Sequence, residues 1–139
     1  MIKIRYLIGN WKIKKKINSS YFAIGNLKIK KIKKNFFLFN EKLVTHFQKL
    51  NFQGFQSFQV EENKKNIIFR FNFGKDKNKV YQIFNKSTNH SKYFCNKDLY
   101  FMNFKIINQN YFIINTKIKG PQKNLNIFTK YQRTISEIF

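Results

Sequence analysis

The sequence predicts an all-β protein: a single antiparallel, up-and-down β-barrel of about eight to ten strands. Three observations predict it. Apolar residues alternate with Lys and Asn at period two along most of the chain, the mark of half-buried strands. Segments of strand length are separated by short breaks of Asn, Lys and Gly, with no helical period between them. Each segment has one apolar face, and a sheet closed on itself buries all such faces and removes open edges. A two-sheet sandwich would bury the same faces and stands as the alternative fold.

The segments follow in order. Residues 9–17 put Trp11, Ile13 and Ile17 on one face and Lys12, Lys14 and Lys16 on the other. Leu27, Ile29 and Ile32 continue against Lys28 and Lys30, and residues 36–43 form a denser apolar run. Phe47 and Phe52 follow, then Phe55, Phe58 and Val60. Ile67, Phe69, Phe71 and Phe73 alternate with Ile68, Arg70 and Asn72, and Tyr81 and Ile83 come next. The later segments are 99–107, 111–119 and 125–133. Breaks fall at 18–20, 61–65, 74–78, 85–89, 108–110 and 120–121.

A chain of 139 residues suits one domain, 1–139, with its core at about 7–133. Its 18 Phe supply the bulk for a real core and argue against disorder. The single cysteine, Cys95, excludes an internal disulfide and a Cys-rich zinc module. No apolar stretch approaches the roughly 20 residues of a membrane helix. The apolar start is too short for a signal peptide. A soluble, cytoplasmic protein is expected.

The net charge is +22, from 28 basic and 6 acidic residues. Taken alone, this points to nucleic acid or an anionic surface. Only Arg5, Arg70 and Arg133 are arginine, however, and base-edge readers favour the bidentate Arg fork. The chain holds 25 Lys, 19 Asn, 19 Ile and 18 Phe, the types with the codons richest in A and T, and one Ala. Drift of an AT-rich genome accounts for much of the lysine. The expected outcome is a solvated lysine surface with non-specific polyanion binding. In the runs around Lys14 and Lys28, Phe is expected to face inward and Lys outward.

No metal site is expected. His46 and His90 lie in different segments, and His90, Cys95 and Asp98 match no zinc spacing. No catalytic residue is assigned: a Cys95–His90 pair has no oxyanion-hole signal beside it, and Glu61-Glu62 reads as a solvated turn. No cofactor is implied. Asp98 is one of few acids, and its role is to cap backbone N–H groups or to pair with a buried cation. Tyr131 and Arg133 share a face with Ile127 and Thr129; if that face is interior, Arg133 needs Trp11 or Asp98 as partner.

Gly9-x-Trp11 at the start of the first strand resembles the lipocalin signature, in which the Trp plugs the closed end and an Arg of the last strand stacks on it. Arg133 is placed for that role. Further motifs follow in order: Cys95-x-x-Asp98-x-Tyr100, Gly120-Pro121-Gln122-Lys123-Asn124 and Tyr131-x-Arg133. The set, spanning about Leu7 to Arg133, resembles a lipocalin-like bacterial family catalogued as domain of unknown function 6314. The chain departs from that pattern at Lys15 and Gln122, where the family has Arg, and at Asn124-Leu125, where it has Asp-Tyr. Tyr93 takes the place of the family His, with His90 left to the loop. The resemblance implies a fold rather than an activity.

The first functional expectation is a small apolar or amphipathic ligand held inside the barrel. Its polar contacts are drawn from Trp11, Asp98, Tyr100, Lys123, Tyr131 and Arg133, with His90, Tyr93 and Cys95 as further candidates. The alternative is a basic module binding nucleic acid or an anionic surface through outer lysines. The weaker alternative is an enzyme using the same cavity. Oligomeric state is not encoded in any pattern recognised in the sequence.

Overall fold

A computed structural model of the protein describes residues 3–18 and 20–134. Ten strands form one antiparallel sheet: β1 (Gly9–Ile17), β2 (Tyr21–Lys33), β3 (Phe36–Phe47), β4 (Leu50–Glu62), β5 (Asn66–Phe71), β6 (Val80–Asn85), β7 (His90–Cys95), β8 (Asp98–Asn108), β9 (Tyr111–Lys119) and β10 (Asn124–Arg133). A short 3-10 helix, Ile4–Leu7, precedes β1. The strand order is β6-β5-β4-β3-β2-β1-β10-β9-β8-β7. The barrel is therefore up-and-down, and its first and last strands pair as expected.

Among the described residues no backbone ladder joins β6 to β7. The barrel is nearly closed, with its seam between two strands adjacent in sequence. Side chains span that seam. The Ser91 hydroxyl donates to Gln82 Oε1, and the Tyr81 and Tyr93 rings meet edge to face at 5.6 Å. Alternation is weak in residues 90–95, so the segment read as loop around His90 is strand β7.

Tight hairpins need residues that tolerate positive φ, and asparagine does so better than most. Asn18, Asn35, Asn78, Asn89 and Asn96 all adopt it. The asparagine load thus has a structural use at the turns, whatever its origin.

The helix end of the barrel is closed by Trp11, which is fully buried and donates from Nε1 to the Leu7 carbonyl at 2.8 Å. Trp11 and Arg133 are register partners in β1 and β10, and the guanidinium lies 4.4 Å from the indole centre. Arg133 also donates to the carbonyls of Gln109 (3.0 Å), Ile8 (2.8 Å) and Tyr6. One side chain so ties the helix, β1 and the turn after β8 to the last strand. Gly9 is required beside it. Its φ is +136°, and a Cβ there would fall 2.8 Å from Arg133 Nη1. Of the two partners expected for Arg133, Trp11 is the one it has.

A second tie closes the same end. The buried Glu62 carboxylate accepts the Ile4 N–H at 3.0 Å and pairs with Lys86 Nζ at 2.6 Å. This corrects the expectation of a solvated Glu61-Glu62 turn: the 3-10 helix folds over Glu62, and Glu61 holds Arg70 at 2.7 Å. Above this floor an aromatic column climbs the barrel. Trp11 meets Phe112 at 4.7 Å, Phe112 stacks on Tyr131 at 4.3 Å and on Phe104 at 5.4 Å, and Phe69 touches Phe39, Phe84 and Phe58.

Arg133→Ala should destabilise the fold by roughly 1–3 kcal/mol, through lost stacking and orphaned carbonyls. Arg133→Lys should recover little of it, because an ammonium cannot serve a ring face and three carbonyls together. Denaturant unfolding followed by Trp11 fluorescence reads both, and parent-like stability of either variant would refute the clamp.

Candidate functional site

Between the floor and the far rim the interior widens into a cavity of about 250 Å³. Its walls are mostly apolar: Leu27, Phe39, Phe58, Phe69, Phe84, Met102, Phe112 and Ile114 among them. Its polar groups are Lys15, Glu41, Gln56, Tyr81, Gln82, Tyr100, Thr116, Thr129 and Tyr131. Gln56 is exposed, so the cavity reaches the surface beside β4.

Each polar group arrives by strand geometry. Lys15 follows Trp11 and Ile13 on the inner face of β1, while Lys12, Lys14 and Lys16 point out. Glu41 follows Phe37 and Phe39 on the inner face of β3. The two meet, Lys15 Nζ lying 3.6 Å from Glu41 Oε1. That is an ion pair, but too long for a hydrogen bond. Gln82 faces inward with Phe84 by ordinary alternation, and Tyr81 beside it also lines the cavity because the β5–β6 register slips there, with Phe69 opposite Gln82 and Arg70 opposite Val80. An extra residue in one strand re-aims its side chains in this way.

Two polar atoms in this wall are left without a hydrogen-bond partner: Glu41 Oε1 and Gln82 Nε2. Gln82 is nearly fully buried, and its other amide atom is used by Ser91. Such orphaned groups cost about 1–3 kcal/mol each, more for a charge. Two tyrosines border them. Burial, with Glu41 nearby, holds the Tyr131 phenol well above its ordinary value of 10.0. Burial, followed by the neighbouring Tyr100, raises Tyr81 as well. Both stay neutral donors over the physiological range.

The residues singled out in the sequence separate into four places. Tyr100 and Tyr131 line the cavity. Trp11 and Arg133 form the floor beneath it. Asp98, Lys123, Tyr93 and Cys95 belong to the opposite, rim end. There Asp98 is the register partner of Cys95 and pairs with Lys123 Nζ at 3.6 Å, not with Arg133. A Cβ at Gly120 would overlap the Asp98 carboxylate, so the Gly120-Pro121 turn and the Cys95-x-x-Asp98 turn are fitted to each other. His90 is exposed on β7 against the Phe101 ring at 5.9 Å. His90, Cys95 and Asp98 do not converge, and no group of metal-ligating side chains occurs among the described residues.

Sequence reasoning missed Lys15, Glu41, Tyr81 and Gln82. For Lys15 a signal existed: it shares the parity of Trp11 and Ile13. Glu41 carried a weaker one, an acid inside an apolar run. Gln82 carried one too, since it shares the parity of Phe84, but the slip that brings Tyr81 to the cavity leaves no mark in the sequence.

The comparisons with known proteins bear on the fold. The family described as "Family of unknown function (DUF6314)" matches residues 7–133. No curated protein matches the sequence. Among solved structures, the S-type phycobiliprotein lyase CPES from Guillardia theta is similar, with 6% identity, a TM-score of 0.64 and coverage of 96% of this chain and 92% of that one. A de novo designed fluorescence-activating β-barrel is similar at 7% identity, TM-score 0.58, covering 96% and 100%. EF1p2_mFAP2b bound to DFHBI matches at 8% identity, TM-score 0.56, covering 94% and 95%. At these identities the likeness is one of fold. No helix among the described residues is long and apolar enough to cross a membrane.

A pH prediction follows from the buried phenols. Their folded values lie above 10.0, so they favour the folded state fully below pH 10 and lose that contribution as pH rises beyond it. Each should remove about 1.4 kcal/mol per pH unit above 10 until its folded value is reached. Phenolate absorbance during alkaline titration should therefore show part of the tyrosine set ionising only with unfolding. Ionisation of all seven near pH 10 with the barrel intact would contradict the buried placement.

Proposed function

This chain belongs to the family of unknown function DUF6314, and from that premise we propose that it is a binding protein for a small amphipathic molecule held inside the barrel. The observation that carries the reading is the pair of orphaned atoms, Glu41 Oε1 and Gln82 Nε2, in an otherwise apolar cavity. A ligand with a donor for Glu41 and an acceptor for Gln82 or Lys15 would satisfy both, which the apolar walls cannot. Phe39, Phe58, Phe69 and Phe84 would take its flat or aliphatic body. By the measure that about 150 Å³ holds benzene, the 250 Å³ cavity suits a body of about ten non-hydrogen atoms. Fold neighbours named for DFHBI binding and for fluorescence activation support an occupiable interior.

Native mass spectrometry of freshly purified protein should reveal a co-purified small molecule, lost on denaturation. Glu41→Gln should reduce its retention about tenfold or more, as for a lost charge-assisted hydrogen bond, and should also destabilise the unliganded barrel, because Lys15 loses its counter-ion. Retention unchanged in both Glu41→Gln and Gln82→Leu would refute the polar half of the site. A consistently empty barrel that binds no amphipathic probe would refute the reading.

A further inference from the structure

Outward aromatics occur at several places on the surface, Phe52, Phe55, Phe73 and Phe94 among them, but on the outer face of β10, β1 and β2 they coincide with lysines set face to face. Alternation predicts Phe inward and Lys outward there. Instead Phe22 points out, 54% exposed, and Phe128 is half-buried beside it on the same face. Register aligns these side chains in rows across the strands. Phe128, Lys16, Phe22 and His46 follow one another in successive strands, and Lys130, Lys14 and Ile24 form the next row. Phe22 stacks on His46 at 4.9 Å, and Lys130 Nζ lies 5.6 Å over the Phe128 ring.

Lys14 and Lys130 stand directly opposite each other. Among the described ladders this is the single register pair of like charges; every other strand lysine faces a neutral residue. Like charges placed so destabilise a sheet. Among the described residues no carboxylate relieves them. All five described carboxylates already hold a lysine or arginine: Glu41, Glu61, Glu62, Asp76 and Asp98 pair with Lys15, Arg70, Lys86, Lys79 and Lys123. None belongs to β10, β1 or β2. The face is thus an uncompensated cationic strip with flat ring faces let into it.

Strand spacing of about 4.8 Å sets Phe128 and Phe22 about 10 Å apart, with Lys16 between them. A polyanion that offers flat π-faces at intervals along its backbone fits that layout. A duplex keeps its base faces stacked, and a lipid headgroup has none. We propose that this face binds single-stranded nucleic acid, bases stacking on Phe22 and Phe128 and phosphates meeting Lys14, Lys16 and Lys130. Such binding tolerates sequence, because every base has a π-face, and needs no Arg fork. The site lies outside the barrel wall and is independent of interior ligand binding.

Fluorescence anisotropy with a labelled oligothymidylate of about ten nucleotides tests it, against a duplex of equal length and phosphatidylcholine–phosphatidylserine vesicles. Phe22→Ala should weaken oligonucleotide binding about tenfold without changing the salt slope, and Phe22→Tyr should restore it. Lys14→Gln with Lys130→Gln should lower the salt slope by about 1–2 and also raise the melting temperature, since a repulsion is removed. Lys92→Gln, on β7, should alter neither by as much. Parent-like binding by both Phe22→Ala and Phe128→Ala, or duplex or vesicles bound as tightly as the single strand, would overturn the proposal.

Discussion

The whole barrel depends on one guanidinium. Strand pairing alone joins β1 to β10, but the 3-10 helix has no ladder to hold it, and the floor of the barrel is only as firm as that helix. Arg133 supplies the missing connection by stacking on Trp11 while donating to Tyr6, Ile8 and Gln109 carbonyls. The arrangement needs a planar, permanently charged group, and it needs a glycine at position 9 for the guanidinium to approach the backbone. Glu62, buried under the helix with Lys86, is the second point of attachment. With the floor fixed at two places, the aromatic column from Trp11 through Phe112 can stop short of the rim and leave a cavity above it.

The seam between β6 and β7 follows from the same constraint. Closure is made where the first and last strands meet, through seven register pairs from Trp11↔Arg133 to Ile17↔Ile127. The gap falls in mid-chain and is filled by side chains, Gln82 with Ser91 and Tyr81 with Tyr93. A side-chain seam yields more readily than a ladder of backbone bonds, because its contacts are few and separately replaceable. Since Gln82 belongs both to the seam and to the cavity wall, occupancy of the cavity and closure of the seam share one residue.

The fold was legible because period two survives in a composition dominated by Lys, Asn, Ile and Phe. Those four types still sort into apolar and polar, and β1, β9 and β10 alternate as their sequences foretell. Strand β7 was hidden because Ser91 is buried by a hydrogen bond, not by hydrophobicity, so its parity carries no apolar signal. The floor pair, Trp11 and Arg133, was legible from their positions in the first and last strands. Asp98 was not: its partner is Lys123, brought close by adjacency of two turns at the rim. The cavity's own polar groups depend on register details, the Tyr81 slip above all, which no spacing in the sequence records.

Inside and outside, two of the places that break the alternation break it in opposite senses. On the inner wall, β1 and β3 each put a charge where an apolar residue would pack better, and Lys15 and Glu41 approach without closing to a hydrogen bond. On the outer wall, β1 and β10 set two lysines face to face and β2 turns a phenylalanine to water beside them. Compositional drift, the expected source of the abundant lysine, is indifferent to register. It gives no reason for the single like-charge pair to coincide with outward aromatics, or for the inner cation to meet one of six acids. A chain with so few carboxylates has committed each described one to a partner. Positions that fall short of their own strand's packing rule are where ligands can contribute most, because binding relieves a cost already present in the free protein. By that criterion β1, which carries Lys15 inward and Lys14 and Lys16 outward, is the strand on which both proposed binding faces turn.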